Sequence, residues 1–348
     1  NAATSWPMAC TQAKAAGARR KRILIPRREA KELLVSAGES GYPAPMAKVD
    51  GLRSPYDLTG GLVHFGRMLD KIRLHARGTL PSDYIPYLGE ADPTAFDGRT
   101  CRFLRVAYDL VVERTLRGGS DEEVLDWTFS RGRRPLAEEV EIFNAFLAKR
   151  GWRDAGSPDL RQWEAEAGLP PHSAATYFDL KDAEEGRPPR FPAEARPFSG
   201  SVKGSVVLPE LRSPRASVGG IVHFGRMLDK IRLRRSGRLP DAWISAMGAE
   251  KGFDGLCCRF LRMDYRTLQA RQDDTDEALL DWAFAHGRRP NDEEILIWNA
   301  YMAKRGWRDA YTNRLRFRLQ EAGMPMDCAS TMFDFIDLDE NRPLPGGT

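Results

Sequence analysis

Fifteen residues, GGLVHFGRMLDKIRL at 60–74, return as GGIVHFGRMLDKIRL at 219–233, with Leu62 against Ile221 as the single difference. A chain of 348 residues that carries one motif twice is constrained to two tandem copies of one domain, each near the usual size of about 100–200 residues. The correspondence continues beyond the motif. Phe96-Asp97-Gly98 answers Phe253-Asp254-Gly255, and Lys149-Arg150-Gly151-Trp152-Arg153-Asp154 answers Lys304 through Asp309. Matching is uneven, falling to 5 of 14 positions between 76–89 and 235–248, so a shared core or a shared site is to be sought in the identical blocks.

The expected organisation is a basic N-terminal arm over 1–45, a first domain over 46–186, a linker over 187–204 and a second domain over 205–343. Pro188, Pro189, Pro192 and Pro197 mark the linker as semi-extended. Within each copy the period is helical: at about 100° per residue, Leu62, Phe65, Met68, Leu69 and Ile72 share one apolar sector. Ser120 and Glu123 form a capping-box pattern at the start of a second helix. Gly132 is expected in a left-handed C-terminal position, with Pro135 forbidding continuation. Pro135 then opens a third helix, which Gly151 ends, and Asn291 with Glu294 marks its counterpart. The segment from Cys101 to Val106 is readable as helix or short strand. The fold class is all-α: two homologous helical domains joined by a Pro-rich linker.

The overall charge of +4 is unevenly spread. Residues 1–45 carry eight Lys/Arg against Glu29, Glu32 and Glu39, a net +5, which leaves the rest of the chain at −1. A nucleic-acid partner is therefore suggested only by the arm, and not by a basic footprint on the domains. No apolar run approaches the roughly 20 residues of a membrane helix, so no membrane partner is expected. The arm does not fit a signal or transit peptide, which makes a cytoplasmic address the default. Cys10, Cys101, Cys257, Cys258 and Cys328 lack C-x-x-C spacing and read as buried reduced thiols.

The repeat sorts the histidines. His75 faces Arg234, His172 faces Asp327 and His286 faces Arg131, leaving His64 and His223 as the matched pair. A polar stripe of His64, Arg67, Asp70 and Lys71 runs beside the apolar face, and returns as His223, Arg226, Asp229 and Lys230. One reading is a site for an anionic small molecule in each domain: His64 and His223 transfer protons, Asp70 and Asp229 orient, and the cations hold a carboxylate or phosphate. Trp152 with Arg153, and Trp307 with Arg308, are candidates to join it through stacking and bidentate hydrogen bonds. The competing reading makes Arg67–Asp70 and Asp70–Arg73 ordinary i,i+3 helix pairs, the Arg and Trp clusters helix-end chemistry, and the chain a structural or bivalent interaction module. The sequence does not decide whether the protein is an enzyme. Without a phosphate-cradling glycine loop, a dinucleotide fingerprint or a nucleophile elbow, no cofactor is expected. One matched histidine per copy, without ligand-spaced partners, argues against metal. Contact between the two domains is left open.

The blocks GGLVHFGRMLDKIRL, FDGRTCRFLRV, GRRP and KRGWRD, with their second-copy equivalents, resemble a bacterial family of unknown function, DUF5069, present here in two tandem copies. The resemblance implies a soluble bacterial-type protein and transfers no catalytic residue.

Overall fold

A computed structural model describes residues 48–192, 198, 200–204, 208–250 and 252–345. The basic arm, and linker residues 193–197 and 199, lie outside the described residues. Among the described residues, each copy is built from seven α-helices. The first has α1 (Phe65–Ala76), α2 (Phe96–Leu104), α3 (Tyr108–Leu116), α4 (Asp121–Arg131), α5 (Ala137–Ala148), α6 (Ser157–Glu166) and α7 (Tyr177–Glu184). The second has α8 (Phe224–Arg235), α9 (Phe253–Leu261), α10 (Tyr265–Ala270), α11 (Asp276–His286), α12 (Asp292–Ala303), α13 (Thr312–Glu321) and α14 (Met332–Asp339). The fold is all-α, with a two-residue antiparallel hairpin, β1 (Ser217–Val218) and β2 (Ile221–Val222), ahead of α8. Copy one keeps a single bridge there, Thr59 to Leu62. Among the described residues, no helix is long and apolar enough to cross a membrane.

The apolar sector read from the motif is the core. Phe65, Met68, Leu69 and Ile72 are buried against Cys101, Leu104, Val111, Val124, Phe143 and Phe178. Burying each such side chain is worth about 1.5–3 kcal/mol. The helix itself begins later than the apolar spacing suggests. Gly60 and Gly61, both with positive φ (53° and 85°), turn the chain ahead of it, and Asn144 on α5 clamps that turn. Its Nδ2 donates to the Gly61 carbonyl at 2.7 Å and its Oδ1 accepts from Val63 N–H at 3.1 Å. Asn299 repeats both bonds on Gly220 and Val222.

The capping boxes form as expected at Ser120/Glu123 and Asn291/Glu294. Cys101 lies in helix, within α2. Gly132 departs from expectation: its φ is −110°, not left-handed. Glycine is needed there because a Cβ would lie 2.0 Å from the Leu104 carbonyl oxygen. Cys101, Cys257, Cys258 and Cys328 are free and buried.

The two copies pack on each other about a pseudo-two-fold axis. Ile142 and Ala145 of α5 join the second copy's core, while Ile297 and Ala300 of α12 join the first. Around this seam the polar contacts are reciprocal. Lys149 pairs with Asp309 and Lys304 with Asp154, each at 2.6 Å. Arg102 pairs with Glu293 and Arg259 with Glu138, each at 2.7 Å.

Candidate functional site

His64 is the residue before α1 and is only 3% exposed. Its backbone is left-handed, φ 65°, and His223 repeats this at 70°, a conformation that costs a non-glycine residue of order 1–3 kcal/mol and persists only when its surroundings fix it. The His64 N–H donates to the Pro55 carbonyl at 2.9 Å, and the ring is held by Asp97, in the first turn of α2. His64 Nε2 lies 2.8 Å from one Asp97 carboxylate oxygen, and Lys71 Nζ, two turns along α1, lies 2.7 Å from the same carboxylate. In copy two, His223 and Lys230 meet Asp254 at 2.8 and 2.6 Å. Phe96 and Phe178 close over the His64 ring, as Phe253 and Phe333 do over His223.

Burial sets the electrostatics. It pushes His64 down to about 4, outweighing the hydrogen bond and charge of Asp97, and does the same to His223. Burial alone would raise the Asp97 carboxyl, but Lys71 and His64 together outweigh it and hold it near 2. With Asp97 ionised, Nε2 is the protonated nitrogen and donates to it. Nδ1 is then a bare acceptor, buried with no hydrogen-bond partner in either copy.

Arg67 and Asp70 belong to other pairs. Arg67 donates to the Arg53 carbonyl at 2.6 Å and through both guanidinium nitrogens to Glu185, the longer bond 3.2 Å. Glu185 also accepts from Tyr84 at 2.8 Å and from Arg187. Arg226 repeats the fork on Glu340, with Trp243 in place of Tyr84. Asp70 is held by Arg53 at 2.7 Å, and Asp229 by Arg212. Thus His64 and Lys71 converge on one carboxylate, whereas Arg67 turns to another and Asp70 orients neither of them.

Trp152, Arg153, Trp307 and Arg308 lie at the seam between copies. The two indoles stack with centroids 3.8 Å apart and planes 2° off parallel. Each arginine covers its own indole and reaches across: Arg153 to Asp334 at 2.8 Å, Arg308 to Asp179 at 2.7 Å. These contacts tie them to the opposite copy's α7 or α14. Two cavities, of about 720 and 590 Å³, are lined by other residues.

Asp97 and Glu185 are the functional candidates that sequence reasoning missed. Asp97-Gly98 reads cheaply as a turn, although its repetition as Asp254-Gly255 was a usable signal. Glu185-x-Arg-Pro likewise returns as Glu340-x-Arg-Pro.

The chain belongs to a family described as a domain of unknown function, DUF5069, whose profile matches residues 49–187 and 209–342. No curated protein matches the sequence.

Proposed function

For this DUF5069 protein we propose a non-catalytic role: a fused pair of helical domains in which the repeated polar stripe is an internal lock, leaving the outer surface for partners. The observation that carries the reading is that every donor of the stripe already has a buried carboxylate of its own copy: Asp97 for the Lys71 ammonium and the neutral His64 ring, Glu185 for Arg67. An incoming anion would have to displace Glu185 from Arg67 and leave that carboxylate with Arg187 and Tyr84 alone, at a cost that approaches the roughly 3–5 kcal/mol of a broken buried pair only if Arg187 does not make up the charge. The alternative, an anion or proton-transfer site at His64, is favoured by one feature, the unpartnered Nδ1 on a strained residue in both copies.

Thermal unfolding of His64→Ala and Arg67→Ala proteins, with and without phosphate, sulfate and citrate, separates the two. The lock reading expects large losses of Tm and no anion-dependent stabilisation of the unmodified chain. Stabilisation by an anion that disappears in Arg67→Ala, with little intrinsic loss of Tm, would overturn it.

A further inference from the structure

Helix α13 differs from its equivalent α6 in a way the fold does not require. Both bury the same core position, Leu160 in α6 and Leu315 in α13. On the outer side, exposed Asp159 and Gln162 of copy one are replaced by Arg314 and Phe317. Counting side chains, SPDLRQWEAE carries −2 and TNRLRFRLQE +2. Phe317 is 51% exposed, and the Arg314 guanidinium lies 5.1 Å from its ring centroid. Arg316, Asn313 and Gln320 are exposed on the same side of the helix. Among the described residues, the ion pair of this helix is Arg318 with Glu321, so Arg314 and Arg316 keep their donors for solvent. The arginine at the Arg316 position of copy one, Arg161, is by contrast spent on Glu164 and the Ala174 carbonyl.

We propose that α13 is a contact face for single-stranded nucleic acid, with Phe317 as a platform for one base and Arg314 and Arg316 as phosphate ligands. An exposed ring flanked by guanidiniums suits a flexible strand, because any unpaired base can stack while arginine grips phosphate in a bidentate fork. The amides of Asn313 and Gln320 can meet base edges. A membrane surface would call for a broad apolar stripe, whereas Phe317 is the single exposed large apolar residue of α13. A lone acidic peptide would leave the ring without a partner. The proposal goes beyond the lock and does not depend on it.

The test is fluorescence anisotropy of labelled oligouridylate and oligothymidylate with the full chain over a range of salt. Binding is expected, weakened about tenfold by Phe317→Ala. Arg314→Gln with Arg316→Gln is expected to lower affinity and to reduce the salt slope by roughly 0.7 for each phosphate no longer neutralised. Gln162→Ala on α6 should change nothing, and unchanged Tm values would show that the variants fold. Three outcomes overturn the proposal: no oligonucleotide binding, binding indifferent to the α13 variants but abolished by deleting 14–31, or equal α13-dependent binding to polyglutamate or phosphatidylserine vesicles.

Discussion

At the residue scale, the two buried imidazoles tie stability to pH. Each has its folded value near 4 because burial opposes the charged form, against about 6.5 when exposed. The unfolded chain therefore binds more protons between these values, so stability is fully present above about pH 6.5 and is lost as pH falls towards 4. Each histidine accounts for up to about 3 kcal/mol at the acid end. Urea unfolding across this range should show the slope, and His64→Gln with His223→Gln should flatten it; an unchanged slope would mean that other groups carry it. Lys71→Met is expected to cost about 3–5 kcal/mol, because it leaves Asp97 buried without its ammonium. In the double variant with Asp97→Leu the loss should be smaller than the sum of the two single losses, read from the same denaturation curves. His64, Arg67 and Lys71 were legible as a set because they repeat. Their acceptors were not, since Asp97 lies 33 residues from His64 and Glu185 lies 118 from Arg67. Sequence spacing can propose only neighbours on one helix, which is why Asp70 looked like the partner.

At the scale of elements, local chemistry was readable and tertiary constraint was not. Ser120 and Glu123 satisfy each other's backbone donors within one turn, so four letters reveal the start of α4. Ser120→Ala should cost about 1 kcal/mol in thermal unfolding. Gly132, at the other end of the same helix, answers to a different element. The Leu104 carbonyl at the end of α2 accepts from Arg133 N–H at 2.9 Å, and the close approach leaves no room for a side chain at 132. Gly132→Ala should therefore destabilise by about 3 kcal/mol, through displacement of backbone rather than loss of a left-handed conformer. Gly287→Ala should match it, since its Cβ would lie 2.2 Å from the Leu261 carbonyl oxygen. If Gly132→Ala proves neutral, α2 and α4 are less tightly coupled than this geometry requires, and a neutral Gly287→Ala says the same of α9 and α11.

For the whole molecule, the motif Lys-Arg-Gly-Trp-Arg-Asp matters because it is self-complementary. Its lysine meets the other copy's aspartate, its tryptophan the other tryptophan, and its second arginine a carboxylate of the opposite copy's last helix. An isologous interface needs that property, with each contact made twice about the axis. Covalent fusion then serves to hold the copies at high effective concentration, and the seam itself should hold without it. Cleavage at a protease site placed within 193–197 is accordingly expected to leave two fragments that sediment as one particle. Lys149→Asp in the nicked protein sets two carboxylates against each other at Asp309, in a position where Lys149 is buried, and should release the fragments. Asp309→Lys added to Lys149→Asp exchanges the charges and should restore the particle in part, since a lysine at 309 cannot accept the Gly306 and Tyr311 N–H bonds that Asp309 accepts. Fragments that separate on nicking alone would show that the linker, not the seam, holds the copies together.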